Sequence, residues 1–380
     1  TFTYRIPSIS SITPNWGTYL NSTEDNSDGT VTVVTTNVED NQTLTIGLNG
    51  TNYTGLTSSN SVTITIPASD LQELSEGTNT ITANVSDLAG NAAAQLSTTF
   101  TYDITATINS ISLSWGTHLN ATEDNNNGTV TVSTTGIDNG QTLTIGLNGT
   151  NYTGSINSNS VSITIPADDL QALNEGTHTI TADVSDLAGN AATQVSTTFI
   201  YDKTLPSISS ITPSWGSYLN ATEDNSDGTI TVVTNGIEDG QTLTIGLNSR
   251  TYTGSISSNS VSITIPAARL QELVNGTTYT ITANVSDNAG NPSSQASTTF
   301  IYDITATINS ISLSWGTHLN ATEDNNDGTV TVSTTGIDNG QTLTLGLNSK
   351  TYTGSISSNS VSITIPADDL QELNEGTHTI

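Results

Sequence analysis

The sequence predicts an all-β fold built as a tandem array of small β-sandwiches. Strand-forming Thr, Val, Ile and Tyr dominate, and continuous helical periodicity is absent. Short segments with period-two alternation are separated by turn signals about every ten residues. The same order of segments returns about every 100 residues. These observations favour several repeated domains over one large core.

Tryptophan marks the period of the repeat. The four copies carry Trp16, Trp115, Trp215 and Trp315, each followed by glycine. We therefore predict repeats over residues 5–103, 104–202, 203–303 and 304–380, with 1–4 as the end of the last strand of a preceding repeat. The fourth copy lacks its last two strands. A chain without an initial Met is expected to be a piece of something longer.

Each repeat contains the same elements in the same order. A Trp-Gly strand leads to an N-x-T-E-D-N turn and a G-T-[VI]-T-V strand, and the strands QTLT[IL]GLN and [TN]YTG then form a hairpin. Asn49-Gly50, Asn148-Gly149 and Asn248-Ser249 suit the tight turn of that hairpin. The alternating strand S-V-[ST]-I-T-I-P precedes a two-turn helix, expected to be a crossover between two sheets. The strand TITA-[ND]-VSD, an AGN turn and STTF-x-YD complete the repeat.

Seven or eight short strands in about 100 residues fit an immunoglobulin-like sandwich. Four such domains in a row would form an elongated rod on the order of 150 Å long. Copies two and four share ITATINSISLSWGTHLNATEDNN, so the array alternates with a double period. Recent duplication explains this sameness, which a spacer tolerates better than a set of independent active sites.

The charge balance limits the possible partners. Thirty-five acidic residues face five basic ones, for a net charge of −30. Nucleic acid and anionic membranes would be repelled, whereas divalent cations, Ca²⁺ above all, would be attracted. The alternative is a merely solvated acidic surface or adaptation to high salt. Cysteine is absent, so no disulfide supports these small domains.

Candidate catalytic groups are few. The histidines are His118, His178, His318 and His378, and they occur in copies two and four only. General bases would not be expected to disappear from alternate copies. The sequence has no phosphate-binding Gly loop, zinc-ligand spacing or dinucleotide fingerprint. We therefore predict that the chain is not an enzyme.

Carboxylates recur at three fixed places in each period. The N-x-T-E-D-N turn carries Glu24-Asp25, Glu123-Asp124, Glu223-Asp224 and Glu323-Asp324; the SD-x-AGN turn carries Asp87, Asp186 and Asp287; the linker begins with Asp103, Asp202 and Asp303. If these groups converge at the domain junctions, they supply the hard oxygens that Ca²⁺ prefers. An alternative is a local site in D-N-S-D-G at 25–29, which as a hairpin turn would need no metal.

The motif T-I-T-A-[ND]-V-S-D-x-A-G-N, followed by STTF-x-YD, resembles the bacterial Ig-like repeats of giant surface adhesins, including biofilm-associated and RTX-type adhesins. The resemblance covers the whole chain and implies extender domains stiffened by Ca²⁺ at their junctions. The implied ligand pairs are Asp87 with Asp103, Asp186 with Asp202, and Asp287 with Asp303. Glu123, Glu223 and Glu323 of the following domain are further candidates. Arg5 replaces the linker Asp before repeat 1.

The function predicted from these features is an extracellular stalk segment whose partners are its neighbouring repeats. One alternative is a self-assembling filament or surface layer, in which TFTY at 1–4 of one chain completes the fourth repeat of another. Another is carbohydrate binding by the repeats. Asn-x-Ser/Thr sequons such as Asn84 and Asn284 also allow glycosylation.

Overall fold

The computed structural model describes residues 5–380, so the predicted strand end at 1–4 lies outside the described residues. The chain divides into two compact units, Thr1–Lys203 and Thr204–Ile380. The first unit contains the first two sequence repeats, and the second unit contains the other two. Four separate hydrophobic cores accompany the four repeats.

The strands of the first unit follow the predicted order. Those of the first repeat are β1 (Ser8–Pro14), β2 (Tyr19–Leu20), β3 (Gly29–Thr36), β4 (Thr43–Leu48), β5 (Thr51–Leu56), β6 (Ser61–Ile66), β7 (Gly77–Asn84) and β8 (Leu96–Tyr102). Those of the second are β9 (Thr107–Leu113), β10 (His118–Asn120), β11 (Gly128–Thr135), β12 (Thr142–Leu147), β13 (Thr150–Ser155), β14 (Ser160–Ile165), β15 (Gly176–Asp183) and β16 (Val195–Asp202).

The second unit repeats the pattern. The third repeat has β17 (Ser207–Pro213), β18 (Tyr218–Leu219), β19 (Gly228–Asn235), β20 (Thr242–Leu247), β21 (Arg250–Ser255), β22 (Ser260–Ile265), β23 (Thr277–Asn284) and β24 (Ala296–Tyr302). The fourth has β25 (Thr307–Leu313), β26 (Gly328–Thr335), β27 (Thr342–Leu347), β28 (Lys350–Ser355) and β29 (Ser360–Ile365).

Helical structure is confined to short segments. The α-helices are α1 (Ala68–Leu71), α2 (Ala167–Gln171), α3 (Ala267–Leu270) and α4 (Ala367–Gln371). Three 3-10 turns, here called the EDN turns, cover Glu24–Asn26, Glu123–Asn125 and Glu223–Asn225. Each α-helix follows the last strand of one sheet, and in the first three repeats the chain then enters the other sheet. The predicted crossover is confirmed.

Each of the first three repeats is a sandwich of a three-stranded and a five-stranded sheet. In repeat 1 the sheet orders are β1-β3-β6 and β2-β8-β7-β4-β5. Strand β2 runs parallel to β8, whereas β7 and β8 are antiparallel. In repeat 4 the described residues form the sheet β25-β26-β29 and the pair β27-β28. The all-β, immunoglobulin-like fold is confirmed.

Close packing around the tryptophan accompanies the strand order that the repeats share. Trp115 lies edge-on to Phe199, with ring centroids 5.3 Å apart. Gly128 opens β11 directly against this indole, where an added Cβ would lie 2.2 Å from a ring carbon. Only glycine therefore allows the tryptophan to pack on the backbone at this point. The hairpin turn also matches its prediction, since Asn49 and Gly50 both have positive φ.

Candidate junction site

The strand pairing places the acidic motifs of one repeat at its two opposite ends. The linker residue Asp103 follows Tyr102, which pairs with Gly77 at one end of the β7-β8 hairpin. The SD-x-AGN turn follows the other end, where Ala83 pairs with Leu96. About six strand residues, or roughly 20 Å, separate the two ends. The predicted pairing of Asp87 with Asp103 is therefore wrong.

The same topology rules out the other predicted pairs within a repeat. Asp186 and Asp202 lie at opposite ends of the β15-β16 hairpin, and Asp287 and Asp303 at opposite ends of β23-β24. An antiparallel strand separates the members of each pair, which is the physical reason for the error. The structure instead brings the linker of repeat 1 to the turn of repeat 2.

The EDN turns lie at the end of each repeat that carries its own linker. Because β10 pairs in parallel with β16, Asn120 lies beside Asp202, and Glu123 follows three residues later. Glu123 accepts a hydrogen bond from the Asn120 N–H at 3.1 Å, and Asn120 Oδ1 accepts one from the Glu123 N–H at 3.0 Å. This reciprocal pattern is a capping box. Glu123 therefore belongs to the end bearing Asp202, not to the end facing Asp103.

Glu223 and Glu323 have the same local role. Their Oε2 atoms accept hydrogen bonds from the N–H groups of Asn220 and Asn320, each at 3.1 Å. The predicted calcium ligands of this turn thus have a structural task in ordering the turn itself. The second acid of the turn is buried. Asp124 is 6% exposed and accepts a hydrogen bond from the Tyr201 hydroxyl at 2.6 Å.

The local loop at 25–29 also has a structural role. Asp28 Oδ1 accepts a hydrogen bond from the Ala68 N–H at 3.0 Å, at the start of α1. In the second repeat Asn127 Oδ1 does the same for Ala167 at 3.0 Å. A neutral amide oxygen therefore replaces the carboxylate without loss of the bond. This exchange favours a helix-capping role over a metal site.

The SD-x-AGN sequence forms a compact turn, here called the AGN turn (residues 87–91, 186–190 and 287–291). In repeat 2, Asp186 accepts two hydrogen bonds from Asn190, one from the backbone N–H at 2.7 Å and one from Nδ2 at 2.6 Å. Gly189 has φ +94, which confirms that the glycine of the motif serves the backbone. Asp287 and Asn291 repeat the pair at 2.8 and 3.0 Å.

Repeats 1 and 2 are joined by direct hydrogen bonds around this turn. Asn190 Nδ2 donates to the backbone carbonyl of Asp103 at 2.7 Å. The Ser22 N–H donates to Asn190 Oδ1 at 2.8 Å, and Asn21 Nδ2 donates to the Ala188 carbonyl at 3.0 Å. The end of repeat 1 thus contacts the AGN turn of repeat 2 through the linker and through Asn21 and Ser22, which precede the EDN turn.

The linker is also tied to its own repeat. Glu76 Oε1 accepts hydrogen bonds from the Ile104 N–H at 3.1 Å and from the Thr105 hydroxyl at 2.6 Å. In the third repeat, Asn275 Oδ1 accepts from the Ile304 N–H at 2.8 Å. The linkers after repeats 1 and 3 are therefore each held by the sandwich that they leave.

Electrostatic repulsion is concentrated at the junction between repeats 1 and 2. Burial raises the pKa of Asp103, and the negative charges of Asp186, Glu76 and Asp138 raise this pKa further. The sequence from 6 to 202 contains no Lys or Arg. Ionised Asp103 therefore destabilises the junction at neutral pH, and this cost falls as pH decreases and the carboxyl is protonated.

The oxygen donors suit Ca²⁺, but the carboxylates have other partners. Asp103, Asp186, Glu76 and Asp138 supply carboxylates of the kind that calcium prefers, and their charges act on one another at this junction. Both oxygens of Asp186 already accept hydrogen bonds from Asn190. Within residues 5–380, no group of three or more acidic or histidine side chains is arranged to hold a metal ion.

The histidines contribute to local structure. His178 Nε2 donates to the Asn174 carbonyl at 2.7 Å, and His378 Nε2 donates to the Asn374 carbonyl at 2.6 Å. The ring of His178 also packs on Phe199 at 5.6 Å between centroids.

No helix in the described part of the chain has the length and apolar character needed to cross a membrane.

The buried tyrosine–aspartate pairs predict a pH dependence of stability. Burial, together with Asp25, raises the pKa of Tyr102 to about 12, and burial with Asp224 raises that of Tyr302 to about 12. Above the ordinary pKa of about 10, the unfolded chain loses these protons while the folded chain keeps them. Full stability is therefore expected below pH 10, with a progressive loss up to pH 12.

Urea unfolding of the whole chain between pH 8 and 12 measures this loss. The Tyr302→Phe variant is the matched control, because it should make the decline in repeat 3 less steep whatever its stability at pH 8. A free energy of unfolding that stays constant from pH 9 to 12 would contradict the assignment.

The fold and the junction define the chain as a tandem array of immunoglobulin-like sandwiches joined end to end in its first unit. No family model and no curated protein matches the sequence. Solved structures similar to the chain include domains of large bacterial adhesins, the class that its motifs resemble.

Three of these structures cover most of the chain. One is from a Ca²⁺-stabilized adhesin with which an Antarctic bacterium binds ice; identity is 25%, coverage is 97% of this chain and 92% of that chain, and the TM-score is 0.35. A structure from a 1.5-MDa bacterial ice-binding adhesin is 23% identical, and the match covers 80% of this chain and 100% of that chain, with a TM-score of 0.39. A tetra-tandem repeat from the extending region of a large adhesion protein is 17% identical, and the match covers 92% of this chain and 89% of that chain, with a TM-score of 0.33. Because all three TM-scores are below 0.5, these likenesses identify no ligand or partner of this chain.

Proposed function

We propose that this chain is a spacer segment of an extracellular surface protein, in which tandem sandwiches hold an adhesive region away from the cell. The observation that carries the proposal is the direct junction between repeats 1 and 2. Three inter-repeat hydrogen bonds meet at the AGN turn, and Asn190 is only 6% exposed there. Domains on a flexible tether would leave these groups to solvent.

The distribution of charge supports the same proposal. Of the acidic residues, only Asp183 and Asp202 lie within the described strands. The remaining acids occupy turns, helices and linkers, so that the sheet faces present mainly Ser and Thr. Such faces are well solvated without being charged, which suits a stalk that has no substrate to bind along its length.

We further propose that Ca²⁺ stiffens the junction between repeats 1 and 2. The support is the placement of Asp103 beside Asp186, Glu76 and Asp138: burial raises the pKa of Asp103, and the negative charges of these three neighbours raise it further. A bound divalent cation supplies the positive charge that the sequence lacks there. These four residues are the proposed ligand candidates, in place of the pairs within one repeat, and their side chains would have to rearrange around the ion, because in this structure they are not arranged to hold one.

Asp103→Asn is the direct test of the calcium proposal. In the wild-type chain, saturating Ca²⁺ should slow hydrogen exchange of the linker amides at 103–106 relative to chelator. At a Ca²⁺ concentration of 100 times Kd, the free energy of opening these amides should rise by about 2.7 kcal/mol. The variant should lose this response. In chelator it should be at least as stable as the wild type, because a partly buried charge and its repulsion are removed.

Asp303→Asn is the matched control for this experiment. Asp303 occupies the same linker position and accepts the same bond from the residue two positions on, at 3.2 Å. The chain of residues 1–380, as used in this experiment, includes no AGN turn after Asp303. An Asp103→Asn chain that still responds to Ca²⁺ at 103–106, or a wild-type chain that never does, would end the calcium proposal and leave the spacer proposal standing.

Lateral self-association is a second candidate function. Edge strand β5 carries no charged residue, and Leu56 at its end is 59% exposed. Uncharged edges are the usual templates for pairing between chains. Sedimentation across a wide concentration range separates the two functions, since a spacer stays monomeric and a filament subunit does not.

A further inference from the structure

The side chain of Asn190 makes three hydrogen bonds, each to a different segment of the chain. Oδ1 accepts from the Ser22 N–H of repeat 1 at 2.8 Å. Nδ2 donates to Asp186 Oδ2 within the turn at 2.6 Å and to the linker carbonyl of Asp103 at 2.7 Å. One side chain therefore connects its own turn, the linker and the preceding domain.

The chemistry of this position requires asparagine. The site demands one acceptor and two donors on a short, planar side chain. Aspartate has the shape but no donor, and it would place a second carboxylate against Asp186. Alanine would leave the Asp103 carbonyl and the Ser22 N–H, both part-buried at this contact, without this partner. Polar groups that lose a hydrogen bond where water has limited access are costly.

From these contacts we propose that the AGN turn is a docking socket for the N-x-T-E-D-N end of the preceding repeat, with Asn190 as the residue that recognises it. This proposal rests on the proposed spacer function, and it identifies the preceding repeat as the partner of the AGN turn. The groups that Asn190 binds in repeat 1 are both backbone groups, the Ser22 N–H and the Asp103 carbonyl. Recognition at this position therefore does not depend on the side chain of Ser22.

The equivalent turn of repeat 1 shows that the socket is preformed. Asn91 donates to both oxygens of Asp87, from its backbone N–H at 2.7 Å and from Nδ2 at 2.8 Å. Asn91 and Ala89 are exposed, whereas Asn190 and Ala188 are buried against repeat 1. The turn thus has its binding geometry in both environments, which lowers the entropic cost of docking.

Distances between spin labels on repeats 1 and 2 test the socket in the full chain. The protein has no cysteine, so Thr99→Cys and Thr198→Cys on exposed strand positions provide two unique labels. In chelator, where no metal can substitute, the wild-type chain should give one narrow distance distribution. Asn190→Asp and Asn190→Ala should broaden it at least about two-fold. Asn91→Ala, in the matched turn of repeat 1, should leave it unchanged.

A second variant avoids any damage to the AGN turn. Asn21→Asp keeps the Oδ1 acceptor that Thr23 and Glu24 use, at 2.9 and 3.0 Å, but removes the donor to the Ala188 carbonyl. Broadening by this variant as well supports the socket. Narrow distributions for both Asn190→Asp and Asn21→Asp would overturn it. A broad distribution in the wild-type chain would instead refute the spacer proposal itself.

Discussion

Replacing Gly136 with alanine is expected to destabilise the second repeat by about 2–4 kcal/mol. Gly136 has φ +72, and an added Cβ would lie 1.9 Å from the Thr105 carbonyl oxygen of the linker. The substitution therefore combines a left-handed backbone conformation with a clash against backbone atoms that cannot rotate away. Hydrogen exchange of the second repeat in the full chain measures the loss.

Gly236→Ala is the control that separates the two contributions. Gly236 has nearly the same φ, +73, but its added Cβ would meet only Pro206, at 3.6 Å. The free energy of unfolding of this variant should fall by about 1 kcal/mol, which is the cost of the left-handed backbone conformation alone. Equal losses for the two variants would show that the linker does not press on the sandwich at this position.

The second large effect is expected at the buried pair of Asp124 and Tyr201. Asp124→Ala leaves the Tyr201 hydroxyl, on a residue 1% exposed, without its partner at 2.6 Å. A loss of about 2–4 kcal/mol in the free energy of unfolding should follow. Tyr201→Phe leaves the buried carboxylate unpaired, so the double variant should lose less than the sum of the single losses.

The pair Asp169 and Tyr152 of the same repeat is the internal control. Its hydrogen bond measures 2.9 Å but lies in solvent, so Asp169→Ala should cost about 1 kcal/mol or less. Additive losses at Asp124 and Tyr201, or a cost no larger than that of Asp169→Ala, would contradict a role for the buried pair in closing the end of the sandwich.

The fold could be predicted from the sequence because its signals are local. Alternation in SVSITIP, the Asn-Gly hairpin turns and the short helix before TITA each depend on a few neighbouring residues, and the repeat multiplies every signal. The pairing of Asp124 with Tyr201 could not be predicted, because 77 residues separate the two side chains. The first acid of the turn is different, since the N-x-x-E spacing already carries the capping-box signal.

The error in pairing Asp87 with Asp103 has a geometric origin. The two aspartates flank one strand, β8, so an extended strand of ordinary rise must hold them apart. Their sequence proximity is therefore evidence against a shared site. The partner of Asp103 is the turn one repeat later. Asn190 was also missed, although asparagine follows glycine in every AGN turn of the sequence.

Repeats 1 and 2 are joined through the AGN turn, and we expect this joint to be rigid in solution. Residual dipolar couplings from backbone amides of the full chain test it most directly, because each repeat reports its own alignment tensor. If the junction is rigid, residues 5–103 and 104–202 share one tensor, in magnitude and orientation. Two tensors of different magnitude, as for domains that reorient independently, would contradict it.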